Sequence, residues 1–117
     1  MIIIESNGAG ISVKGHANYA EHGKDIVCAA VSTLIQTLIA SIEDLTDDKI
    51  QYVIQPGTVD IKHGNLSERG QLLIDSFFVG VRMIENEYPD YVRIAQAVDG
   101  VKSYGKTDKQ KSKKYGG

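Results

Sequence analysis

The chain has one cysteine, no tryptophan and two prolines in 117 residues. A single cysteine, Cys28, excludes an internal disulfide. Paired, closely spaced metal ligands are also missing. His16, His22 and Cys28 offer neither such a pair nor a fourth ligand, so neither a metal nor any other cofactor is expected. The chain opens Met1-Ile2-Ile3-Ile4-Glu5, without the basic start and small-residue cleavage site of a secretory leader, which gives a cytoplasmic expectation. The longest uncharged run, Ile26 to Ile42, falls short of a membrane span and carries Ser32, Thr33, Gln36, Thr37 and Ser41. It reads as a buried helix, with no membrane involved.

What is present describes one modest globular body. A chain of 12.8 kDa supports one core and is too short for two ordinary domains. Its 42% hydrophobic and 24% charged residues are near the globular norm. The formal net charge of −2 hides an asymmetry. Residues 102–117 hold six lysines against Asp108 alone, whereas residues 1–101 hold seven basic and fourteen acidic side chains. An acidic body suits a basic peptide or protein and argues against nucleic acid, except through the tail. We divide the chain into a domain over 1–99 and a flexible lysine-rich tail over 100–117.

Ile2 to Glu5 and Ile11 to Lys14 are short β-branched runs separated by a turn containing Asn7-Gly8, which predicts a hairpin. Gly15 to Lys24 lacks apolar periodicity and reads as a loop. Asp25 then fits a helix N-cap. From Ile26 to about Leu45 the apolar residues spread almost around the circumference, as in a helix at the middle of a domain. Ile50 to Gln55 and Thr58 to Lys62 predict a second hairpin across Pro56-Gly57, a type II turn pair. Asn65-Leu66-Ser67-Glu68 starts a second helix that Tyr88-Pro89 closes, and Tyr91 to Val98 gives a last strand. The order ββαββαβ implies an α+β fold: an antiparallel sheet of two hairpins plus a C-terminal strand, with two helices on one face. Its exposed face or edge makes a homodimer an expectation.

One region combines a nucleophile with a base. A free cysteine has a pKa of about 8.5 and must become a thiolate to attack. With Asp25 as N-cap, Cys28 is the third helical residue, among unpaired amides and at the positive end of the helix dipole. His16, at the end of the second strand, is placed to act as its base and then as proton donor to the leaving amine. Gly15 permits close backbone approach, and Gly23 lets the loop bend back. The residues alone leave other readings open. Cys28 also fits a small core residue, His16 a strand-end histidine bonded to a carbonyl, Asp25 a cap only, and Ser32 a hydroxyl bonded to a preceding carbonyl.

The string Gly15-His16-Ala17, followed by Gly23-Lys24-Asp25-Ile26-Val27-Cys28-Ala29-Ala30-Val31-Ser32, resembles the signature of the ribosomal-processing cysteine proteases. The similarity in element order runs to about Asp99 and includes Tyr88-Pro89-Asp90-Tyr91. The resemblance implies a dyad of Cys28 and His16, accessory positions at Asp25 and Ser32, and a substrate-binding loop including Gly15, Ala17 and Gly23. It also implies a homodimer. The implied substrate is the N-terminal extension of the twenty-seventh large-subunit ribosomal protein, cut after an aromatic pair, or a phage capsid or scaffold protein with a similar motif. The lysine-rich tail departs from that pattern. The competing expectation is a non-catalytic module that binds a basic ribosomal or capsid protein through its acidic body.

Overall fold

The computed structural model describes residues 1–96. The domain boundary at residue 99, the end of the last predicted strand and the lysine-rich segment lie outside the described residues. Seven elements follow in the expected order: β1 (Ile2–Ser6), β2 (Gly10–Lys14), α1 (Ile26–Leu45), β3 (Ile50–Gln55), β4 (Thr58–His63), α2 (Glu68–Glu87) and β5 (Val92–Gln96).

Local chemistry sets both hairpins. In the first, the Asn7 side chain accepts from Ala9 N at 3.0 Å while Asn7 N donates to the Gly10 carbonyl at 3.2 Å, closing a turn around Gly8. In the second, Gly57 has φ +73°, the left-handed value a type II turn requires at its third residue. The five strands lie in the order β3-β4-β2-β1-β5. The hairpin pairs and β2·β4 are antiparallel, as expected. The fifth strand adds itself parallel to β1, with Ile2 opposite Val92 and Ile4 opposite Ile94, so the sheet is mixed.

Alternation along the strands sends Ile2, Ile4, Ile11, Val13, Ile61 and Val92 into the core. Both helices cover that face; Glu5, Lys14 and Lys62 project from the other. From α1 come Val27, Val31, Ile35, Leu38, Ile39 and Ile42, and from α2 Ile74, Phe77, Phe78 and Val81. The helices meet where Gly80 faces Leu34, whose Cδ1 is 3.0 Å from where a β-carbon on that glycine would stand.

Two details depart from the sequence reading. Helix α1 is long and apolar enough to cross a membrane by length and composition, yet in this fold one stripe of it is buried while Ala29, Ser32, Thr33, Gln36 and Thr37 are exposed. It flanks the sheet rather than running through the centre, because alanine and short polar side chains form its outer face. The second concerns β3. Ile50, Tyr52 and Ile54 alternate with Gln51, Val53 and Gln55, yet the strand is a sheet edge on which Tyr52, Val53 and Ile54 are all exposed.

Candidate active site

The strand ends at one side of the sheet converge on the start of α1. Gly15, closing β2, has φ +100°, and a β-carbon there would run into the Met1 carbonyl oxygen. Only glycine lets the backbone pass. Gly15 N also donates to the Gly57 carbonyl at 2.8 Å, so the end of β2 is tied to the β3–β4 turn. His16 follows directly, and its imidazole lies over that turn. A β-carbon on Gly57 would stand 2.8 Å from Nε2 and 3.2 Å from Cε1.

The next residue reaches the sulfur. Ala17 is 3% exposed, and its N–H donates to Cys28 Sγ at 3.3 Å. Asn18 then takes φ 57°, a left-handed conformation that asparagine tolerates better than most residues. The returning arm passes Gly23, at φ +87°, and reaches Asp25.

Asp25 is the hub of the loop. Its Oδ1 accepts from Val27 N at 3.0 Å and Cys28 N at 2.9 Å, which makes it the N-cap of α1. Its Oδ2 accepts from Tyr19 N at 2.9 Å and Ala20 N at 3.4 Å. One carboxylate therefore fixes both the helix start and the loop. Burial alone pushes this carboxyl up, but the Cys28, Tyr19 and Ala20 amides, joined by the Cys28 side chain, outweigh it and hold Asp25 below the ordinary value of 3.8. A carboxyl held below its unfolded value stabilises the fold above that value and loses this contribution as pH falls through the lower, folded one. The stability advantage of wild type over Asp25→Asn, measured by urea unfolding across a pH series, is thus expected to be constant down to about pH 4 and to shrink below it. An advantage unchanged at lower pH would exclude the carboxylate as the hub.

Two hollows meet at Cys28, and His16 and Ser32 border both. The first, of about 240 Å³, is floored by apolar side chains including Val13, Val31, Ile35, Ile54 and Val59. The second, of about 350 Å³, is bordered by Asn18, His22, Gly23 and Asp25. Together they form an open groove at Cys28, floored by apolar side chains on one side and edged by Asn18, His22 and Asp25 on the other.

The structure thus brings His16, Cys28, Ser32, Gly15 and Ala17 into one place, with Gly23 on the rim and Asp25 beneath. Ser32 differs from the expectation of a hydroxyl bonded to a preceding carbonyl. Its Oγ accepts from Gln36 Nε2 at 3.2 Å, and Thr33 is the residue that bonds back, to the Ala29 carbonyl at 2.8 Å. Sequence reasoning missed the turn at Pro56-Gly57 as a wall of the site, and it missed Tyr19, whose ring meets those of Tyr88 and Tyr91. Among the described residues no cluster of three or more His, Cys, Asp or Glu could hold a metal ion.

Comparison with known proteins agrees with this geometry. The family model for cysteine protease Prp matches residues 2–93. The ribosomal processing cysteine protease Prp of Bacillus subtilis (strain 168) is 33% identical over 90 residues, covering 68% of this chain and 78% of the relative. The Staphylococcus aureus (strain Mu50) protein of that name is 30% identical over 87 residues, covering 72% and 82%. The crystal structure of the essential S. aureus protease Prp with a covalently linked product peptide superposes with a TM-score of 0.75 at 25% identity, covering 82% of this chain and 97% of that one. A cysteine at a helix start, a histidine at the adjoining strand end and a groove between them accompany these matches, and the chain belongs to the cysteine protease Prp family.

Proposed function

We propose that this cysteine endopeptidase uses Cys28 as nucleophile and His16 as base and acid to remove a short N-terminal extension from a ribosomal protein. The observation that carries the reading is the Ala17 N–H directed at Cys28 Sγ, on a sulfur that also sits in the first turn of α1 and borders the same groove as His16. Both the amide and the helix start favour negative charge at that position. His16 takes the thiol proton, Sγ attacks the peptide carbonyl, and the tetrahedral intermediate collapses as His16 returns the proton to the departing amine. Water, deprotonated by His16, then hydrolyses the thioester and regenerates the thiol. The Ala17 amide is the donor beside Cys28 Sγ available to the developing oxyanion, because the Val27 and Cys28 amides of the helix start are already held by Asp25.

The apolar hollow suits the aromatic pair of the substrate, and the acidic surface of residues 1–96 suits the basic stretch that follows it. Support for a peptide in the groove comes from S. aureus Prp, whose structures include one with a covalently linked product peptide and one with a substrate peptide. A phage capsid or scaffold N-terminus with the same motif would be cut by the same chemistry. We further propose a cytoplasmic homodimer. The decisive test incubates the protein with a peptide containing Leu-Gln-Phe-Phe-Ala followed by lysines and locates the cut by mass spectrometry. Cleavage after the second aromatic residue is expected, and an intact peptide would sink this reading.

A further inference from the structure

The loop over Cys28 is anchored at three points, and the third has no part in the chemistry proposed above. At the first, Gly15 is tied to the Gly57 turn; at the second, Asp25 holds Tyr19 N and Ala20 N. The third is the Tyr19 ring itself. It stands edge-on to Tyr88, with centroids 5.4 Å apart at 79°, and to Tyr91, at 5.1 Å and 80°. Those two rings sit on a closed turn between α2 and β5, where Tyr91 N and Val92 N both donate to the Tyr88 carbonyl, at 3.0 and 3.1 Å. Ile2 N, in turn, donates to the Tyr91 carbonyl at 2.9 Å, which fixes the turn to the central sheet.

Tyr19 is 42% exposed, so this contact is a clasp at the surface rather than core packing. Its place in the chain gives it leverage. One residue, Asn18, separates it from the amide that reaches Cys28, and Asn18 is the one non-glycine residue with positive φ among the described residues. Such a conformation persists only where neighbours on both sides hold it. Without the ring contacts, only the Tyr19 N and Ala20 N bonds to Asp25 would hold the far side of Asn18, and the Ala17 N–H would be less firmly aimed at the sulfur.

We propose that Tyr19 is a positioning residue for the peptidase reaction: clasped between Tyr88 and Tyr91, it holds the loop that aims the Ala17 N–H at Cys28. The proposal rests on the peptidase reading and deepens it. Tyr19 acts through Ala17 and does not meet the scissile bond. Both hollows beside Cys28 are open with the clasp closed, so the clasp does not obstruct the groove.

The test compares wild type, Tyr19→Ala and Tyr19→Phe by steady-state kinetics on the Leu-Gln-Phe-Phe-Ala peptide and by amide hydrogen exchange at Ala17. Edge-on aromatic pairs contribute modestly but measurably, so Tyr19→Ala is expected to lower kcat roughly tenfold with KM nearly unchanged, and to speed Ala17 exchange by a similar factor. Tyr19→Phe restores both, because the contacts are made by the ring. Unchanged kcat or exchange in Tyr19→Ala, no rescue by phenylalanine, or a rise in kcat would each overturn the proposal. A wild type that cuts no peptide sinks the peptidase reading and the catalytic half of this proposal with it. Exchange at Ala17 then still decides whether Tyr19 holds the loop.

Discussion

Replacing Cys28 by alanine is expected to abolish cleavage of the Leu-Gln-Phe-Phe-Ala peptide, lowering kcat by roughly a thousandfold or more, because the covalent route loses its nucleophile. The protein should remain folded, since Cys28 is half-buried at the start of a helix where alanine is readily accommodated. His16→Ala is expected to cost about a hundred- to ten-thousandfold in kcat, the usual worth of a positioned acid and base. Its effect on unfolding should be slight, because the imidazole is exposed. The two substitutions are therefore separable from simple misfolding by circular dichroism and urea titration. Residual cleavage by Cys28→Ala near the wild-type rate would remove this mechanism, and a fully active His16→Ala would assign the proton transfers elsewhere.

The second large effect falls on Gly57, in the turn that walls the apolar hollow and lies under His16. At φ +73° a side chain is strained by about 1 kcal/mol or more. A β-carbon there would also stand 2.8 Å from His16 Nε2, closer than van der Waals contact allows. The imidazole is the far end of a flexible side chain, so it yields at little cost to stability. What it gives up is position. Gly57→Ala is thus expected to lower kcat by roughly a hundredfold, since a misplacement of about 1 Å suffices for such a loss, while stability falls only by the roughly 1 kcal/mol of backbone strain. Gly8→Ala, at φ +79° with nothing within 4 Å of the added β-carbon, carries the same backbone strain away from the site and serves as control that should keep most activity. Equal kinetics for Gly57→Ala and wild type would mean that His16 does not work from the position over the turn.

Much of this fold could be read from local chemistry. Asp25 and Ser67 announced the helix starts, and both side chains cap as expected, Ser67 Oγ accepting from Gly70 N at 3.1 Å. Asn7-Gly8 and Pro56-Gly57 announced the turns. The β-branched runs flanking the first turn found β1 and β2, and β4 followed as the arm returning from the second. Where two segments distant in sequence meet, local pattern had nothing to say. The apolar run in β5 could not reveal that it pairs parallel to β1, a choice made by the crossover of α2. The edge position of β3 left Tyr52 and Ile54 exposed despite their alternation. At the site the same division holds: the helix position of Cys28 and the strand-end position of His16 were legible, and the resemblance favoured the pair over the other readings of each. The packing of His16 on Gly57, and of Tyr19 on Tyr88 and Tyr91, joins segments some forty to seventy positions apart and had no signature in either segment.

The parallel partnership of β1 and β5 also bears on when the enzyme comes into being. Strand β1 lies between β2 and β5, so its second flank stays unsatisfied until residues 92–96 arrive. Cys28 precedes by some sixty residues the strand and the tyrosines that hold its loop in place. Pairing across so long a stretch of chain is slow and comes late in folding. Every residue lining the two hollows precedes residue 60, but the tyrosine clasp and the second flank of β1 are added only once residues 88–96 are in place.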